Sequence, residues 1–308
     1  MNTSSQAMAG SHVGSDAVTP GDISLVRRLY WSVTRELWEN RSIYLAPLAA
    51  AGVFLVGFLF GLGGLPARVR AAMALAPLQQ HHTIEQPFFF VGLVLMLTEV
   101  LVAVFYCVDA LYGERRDRSI LFWKSVPVSD ALSVLAKASI PILVLPLIAF
   151  VLTTVAQFVM LVVSSAVLAG SGLDSAMVWT HVPLVQTSFI NLTHLVLVHG
   201  LWYAPLYGWL LLVSAWAKRV PFLWAVLPPA AIGVVEKLAF NTSYVGTMLG
   251  DRLGGLSGDA PSGDGMNMVM LATPLTQFLT APGLWIGLAL TAVFLYGAVR
   301  LRRVRGVI

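Results

Sequence analysis

Six long apolar runs constrain this chain more than any other feature. They cover about residues 43–62, 87–111, 138–169, 189–217, 220–238 and 282–299. Each is near or above the roughly 20 residues that cross the hydrocarbon core of a bilayer as a helix. Backbone polar groups cannot be left unpaired in lipid, so runs of this length are helices. Composition agrees: 57% of the 308 residues are hydrophobic and 11% charged, against about 25% charged in a soluble chain. The sequence predicts an all-α integral membrane protein with six transmembrane helices. The third run is too long for one upright span at about 1.5 Å per residue, and Pro141 and Pro146 are placed to kink it.

The flanks differ from the spans. Residues 1–22 are rich in Ser, Ala and Gly, with no apolar stretch, and read as a disordered tail. Residues 23–308 read as one transmembrane domain. It opens with an amphipathic helix from Ile23 to about Arg41, in which Ile23, Val26, Tyr30, Val33 and Leu37 recur at spacings of three and four. Its arginines and aromatics suit a membrane interface. Of the nineteen Lys and Arg residues, fifteen fall on one side: Arg27 to Arg41, the loop from Arg115 to Lys137, Lys218 with Arg219, and Arg300 to Arg305. Arg68, Arg70 and Arg252 fall on the other, and Lys237 near a span end is left unassigned. The basic side is the cytoplasmic one, so both termini are expected there.

The loop from Asp109 to Lys137 is the most informative connection. Its charges keep it out of lipid. Within it Ser119-Ile-Leu-Phe-Trp-Lys124 reads as a short amphipathic helix. Pro127 ends that piece, and Ser129 reads as the N-cap of the next helix. A one- or two-turn helix with Ile120, Leu121, Phe122 and part of Trp123 on an apolar face needs a partner. Arg115, Arg116 and Lys124 are expected on the polar rim of that docking surface.

Other chemistry is sparse. There is no Gly-x-x-x-x-Gly-Lys-Ser/Thr phosphate loop and no His-Glu-x-x-His. The net charge of +4 sits in clusters beside apolar runs and is no nucleic-acid signal. The single cysteine, Cys107, lies within a span and reads as a small buried hydrophobe. Glu99 sits near the middle of the second span, where a carboxylate must face protein or water and pair or protonate. Glu99 is read, with Gln157 of the third span, as lining a translocation path; the alternative is a structural hydrogen bond between the two. His194 and His199, five apart in the fourth span and so on different sides of a helix, read mainly as interhelical hydrogen-bonding groups, with a proton or metal path as the alternative. The outer connections are 63–86, 170–188 and 239–281; the last turns apolar near Met266 and suggests a re-entrant or surface-lying hairpin.

Glu114-Arg115, Ser119-Ile-Leu, Lys124-Ser125, Pro127-Val-Ser129 and Lys137 together resemble the cytoplasmic loop of type-2 ABC transporter permeases. The likeness extends to the plan after about residue 22: an interfacial helix, six spans, and an outer insertion between spans five and six. The chain departs from it in having Asp117-Arg118 where a Gly-Thr is common. The resemblance implies a non-enzymatic permease subunit of an exporter in a bacterial cytoplasmic (inner) membrane. ATP and Mg would bind a separate ATPase subunit. A second permease subunit, in a homodimer or heterodimer, would complete the pathway, and Glu114, Arg115, Arg116, Ile120, Phe122, Trp123 and Lys124 would couple to the ATPase. One competing reading is an outer-face membrane enzyme built on His81, His82, Glu85, Asp174 and His181; another is a non-catalytic assembly subunit.

Overall fold

The computed structural model of the chain describes residues 24–125, 128–254 and 275–304. The tail at 1–22, the stop at Pro127 and the apolar stretch at 266–274 lie outside these residues. Every described element is helical, and six helical segments are long and apolar enough to cross a membrane. In chain order they are α1 (Leu25–Glu39), α2 (Ser42–Gly61), α3 (Leu65–Met73), α4 (Pro77–Ala110), α5 (Tyr112–Arg116), α6 (Ser119–Ser125) and α7 (Asp130–Ser139). A π-helical segment, Ile140–Val144, leads into α8 (Leu145–Gly170). Next come α9 (Ala176–His181), α10 (Leu184–His194), a second π segment at Leu195–Trp202, and α11 (Ala204–Trp216). The described chain closes with α12 (Pro221–Phe240), α13 (Tyr244–Gly254), α14 (Leu275–Thr280) and α15 (Pro282–Val304).

Local chemistry sets these boundaries. Ser24 caps α1 by accepting from the Arg27 N–H, and Ser129 caps α7 by accepting from the Leu132 N–H. Proline explains both π segments. Pro141 and Pro146 each delete a donor from the third span, and Pro205 deletes one where the second π segment gives way to α11. The fourth segment long enough to cross runs Ala176–Trp202, and Ala204–Trp216 follows as a separate shorter apolar helix, where the sequence suggested one helix over about 189–217. The two π segments cross at Gly200, where a Cβ would meet the Ile142 carbonyl oxygen at 2.5 Å. Gly200→Ala is expected to cost about 1–3 kcal/mol, since a backbone must move. Gly233→Ala is the control, because a Cβ there meets nothing within 4 Å. Equal melting temperatures for the two variants would refute the close crossing.

Two apolar cores share α4. One gathers Ala103, Tyr106 and Cys107 with Leu145, Tyr207, Leu211 and Leu284. The other gathers Phe88, Val91 and Leu95 with Ala51, Val69, Met160 and Val178. α11 and α15 pack closely because glycines face their partners: Gly208 lies against Thr291 and Phe294, and Gly297 against Leu212. α12 is peripheral. It is pinned to α11 by the Trp209 indole N–H donating to the Ala225 carbonyl at 3.0 Å and by the Trp216–Trp224 edge contact.

Candidate functional site

The densest polar chemistry lies beneath α6, at the end of the bundle that carries α1. The side chains come from five elements. Glu36 belongs to α1, and its neighbours Val33 and Leu37 pack into the first core, which draws that helix edge inward. Asp130 and Lys137 lie two turns apart on α7. Glu114 stands in the first turn of α5 and Arg302 in the last turn of α15, positions where the helix dipoles favour those charges. Tyr106 projects from α4.

These groups form a charge-balanced hub. The Lys137 ammonium donates to both Glu36 oxygens at 2.9 Å and lies 3.1 Å from Glu114 Oε1. The Tyr106 hydroxyl donates to Glu36 Oε2 at 2.9 Å, and Arg35 donates to Glu36 Oε1 at 2.6 Å. Arg302 pairs with Glu114 and, at 3.0 Å, with Asp130. Three cations thus face the three inner carboxylates, and the more exposed Glu39 lies 3.6 Å from Arg35 at the edge. Glu36 is 0% exposed and Lys137 2%. Burial pushes the Glu36 carboxyl up, but the Lys137 charge and the hydrogen bonds from Lys137 and Arg35 outweigh it and hold the carboxyl below its ordinary range.

The hub carries α6. The Arg35 guanidinium sits 4.0 Å over the Trp123 ring, and Trp123 meets Phe122 edge-on at 4.8 Å. Ile120 is 1% exposed and turns inward, so it does not belong to the outward apolar face suggested by the sequence. Leu121 and Phe122, at 60% and 62% exposure, do face out. The Lys124 side chain lies outside what the structure describes.

Arg115 corrects a second expectation. It is not a rim residue. Its guanidinium is buried and donates to the Ser214 and Ala217 carbonyls at 2.8 and 2.6 Å, closing the C-terminus of α11. In return the Ser214 hydroxyl accepts from the Leu111 and Tyr112 N–H groups, at the turn where α4 passes into α5. Each helix end supplies the other's missing partner. Arg116 does face outward, pairing with Asp117 and Asp109. Arg118, in the turn before α6, has φ 61, a left-handed conformation that glycine adopts without penalty.

The other sequence candidates lie elsewhere. Glu99 is fully buried on α4. Gln157 is not its partner: the Gln157 amide donates to the Phe88 carbonyl at 3.0 Å, eleven residues from Glu99 and so about 16 Å along the helix. At the far end His81 pairs with Glu85 at 3.0 Å, and the His81 and His181 rings meet edge-on at 5.4 Å. His82 is exposed beside them. Asp174 stays out of this group and accepts from the Ala176 N–H. Among the described residues no group of three His, Cys, Asp or Glu side chains could hold a metal ion. The sequence singled out none of Glu36, Tyr106, Ser214 or Arg302, and Lys137 stood there only among the basic residues of the loop and in the resemblance. A signal existed for Glu36, which follows Val33 by three and lies on the inward edge of the apolar stripe.

No protein-family model, curated protein or solved structure matches the chain.

Proposed function

We propose that the chain is the membrane-spanning permease subunit of an ATP-binding-cassette exporter. The observation that carries this reading is α6: a seven-residue helix that presents Leu121 and Phe122 to the outside while Arg35 and Trp123 tie it to a buried ionic hub. An apolar pair on so short a helix is a docking surface for another protein. The hub is its physical complement. It joins α1, α4, α5, α7 and α15, so force applied at α6 reaches several spans without first bending a loop. The partner in this reading is a separate ATPase that binds ATP and Mg, and the permease works as a homodimer or heterodimer. α1, α6 and both termini face the cytoplasm of a bacterial cell, in keeping with the charge asymmetry.

Orientation is tested with Cys107 replaced and single cysteines at Asp117 and Ser243, both exposed. They should react with membrane-impermeant reagents from opposite sides; reaction from one side sinks the topology. The docking reading is tested with Phe122→Ala and Leu121→Ala, co-purified with a phosphate-loop ATPase; such an ATPase in an adjacent reading frame would be the one to use. Truncating a buried aromatic anchor costs about 2 kcal/mol, roughly thirtyfold in affinity. Phe122→Ala should insert at normal levels yet retain much less ATPase and lose ATP-driven transport in liposomes. Full association and full transport by both variants would remove α6 from the mechanism. Turnover of a substrate without any ATPase, lost in His81→Ala or His181→Ala, would instead favour an outer-face enzyme.

A further inference from the structure

We propose that Glu99, His199 and Tyr207 form an internal proton-binding site in the middle of the membrane domain, one that takes up and releases a single proton. All three side chains are buried: Glu99 and His199 at 0% exposure and Tyr207 at 1%. Among the described residues neither Glu99 oxygen, neither His199 nitrogen and not the Tyr207 hydroxyl makes a hydrogen bond of proper distance and angle. Buried polar atoms are almost always satisfied, so a cluster of such groups marks bound water, an ion or a proton in exchange.

The three groups converge from separate elements. The His199 ring, on the second π segment, lies against the Met96 carbonyl, though without forming a well-aligned bond. Met96 and Glu99 are three apart on α4, which puts them on one face. Tyr207 lies on α11, which packs along α4, the helix that carries Glu99. Tyr203 links the two aromatic positions, 5.0 Å from the His199 ring and 6.5 Å from that of Tyr207.

Charge chemistry selects the ligand. No Lys or Arg of the described residues pairs with Glu99 within 4 Å. The elements packed on α4 bring little else. α8 and the Ile140–Val144 segment have no titratable side chain, α2 has only Tyr44, and α11 has only Tyr207. α12 has Glu236 and Lys237 near its C-terminal end, α3 has Arg68 and Arg70, and α9 has His181 in the far-end cluster. α7 has Asp130 and Lys137, and α5 has Tyr112, Glu114, Arg115 and Arg116, at the hub. His194 interacts with His199 from its own span. On α4 itself the nearest are Tyr106 and Cys107. A lone carboxylate at this depth is costly. A proton removes the charge without needing the several oxygen ligands of a metal ion.

The step balances simply. A proton delivered through water forms an O–H bond on the Glu99 carboxylate, giving the neutral acid. Release breaks that bond and hands the proton through water to a lone pair of the buried His199 imidazole, the acceptor assigned here. Tyr106, seven residues from Glu99 on the same face and bonded to Glu36, places the hub about 10 Å away along α4.

The test needs no ATPase, so it stands or falls apart from the permease reading. Infrared spectra of the purified chain in lipid nanodiscs are recorded between about pH 4 and pH 9, the span over which carboxyl and imidazole groups exchange protons in proteins. The expected result is a buried carboxylic-acid carbonyl band that grows as pH falls, vanishes in Glu99→Gln and shifts in frequency in Glu99→Asp. His199→Gln should move its midpoint by about one pH unit, a tenfold change in proton affinity. Glu99→Asp keeps a carboxyl, so the assignment holds even where the Gln variant folds poorly. A Glu99-dependent band of constant intensity would make the residue a fixed neutral acid, and no such band at any pH would make it a fixed carboxylate. Either result overturns the proposal.

Discussion

Lys137→Met is expected to lose about 3–5 kcal/mol of stability, the range for removing one partner of a buried ion pair. The methionine fills the volume of the lysine stem, so the loss is chiefly electrostatic. Glu36 and Glu114 would lose the buried ammonium between them, leaving two cations, Arg35 and Arg302, for the three carboxylates of the hub. Thermal melts in detergent should show a large fall in melting temperature and membrane yield should drop. Adding Glu36→Gln to Lys137→Met should recover part of the loss by removing the surplus negative charge from the hub. No recovery would mean that the lysine acts through packing. Acid should reach the same hub. The Glu36 carboxyl lies below its ordinary value of 4.5 in the folded chain. Its contribution is therefore full above that ordinary value and is lost as pH falls through the lower, folded value. The wild-type chain should lose melting temperature over that acid window, and Glu36→Gln should lose less across it. Identical acid sensitivity in both would place the effect elsewhere.

Arg115→Ala is expected to cost about 3 kcal/mol or more, because each charge-assisted bond it removes contributes about 1.5–3 kcal/mol. The loss falls at one junction: the C-terminus of α11 gives up its buried donors while the Ser214 hydroxyl still holds the start of α5. Arg115→Lys should recover part, since an ammonium can still reach a carbonyl but lacks the planar fork. Arg116→Ala is the comparison. Its side chain is 53% exposed, and the substitution should stay within about 0.5 kcal/mol. Equal melting temperatures for Arg115→Ala and Arg116→Ala would contradict the buried assignment.

Those two arginines show what a sequence can and cannot display. Hydropathy carries the six spans because lipid tolerates so few alternatives. The three-four spacing from Val26 to Leu37 carries α1, and Ser129 carries the start of α7. Arg115 and Arg116 are neighbours in the chain, yet about 100° of helix rotation sends one into the protein and the other to the surface. Nothing local to the pair tells which. Ile120 is the same case: it heads an apolar run whose next two residues face out. The hub was hidden for a different reason. Glu36, Glu114, Lys137 and Arg302 are far apart in sequence, and each alone reads as a solvated charge at a span end. Only their convergence balances the charges and makes burial tolerable. Glu99 and Gln157 erred in register, since two residues can each lie mid-span on adjacent helices and still be several turns apart.

The two π segments have a geometric consequence of their own. An α-helix completes a turn in 3.6 residues, and a π turn holds about one residue more. If a π segment returned to α geometry, the surplus residue would have to be absorbed further along. Everything beyond it would then swivel by about 100° relative to everything before it. The side chains carried past the junction would be re-aimed without the helix leaving its place in the bundle. Ile140–Val144 and Leu195–Trp202 abut at Gly200, so neither helix can swivel there without sliding across the other's backbone. The third and fourth spans are thus meshed like two cogs, and the angular setting of one constrains that of the other.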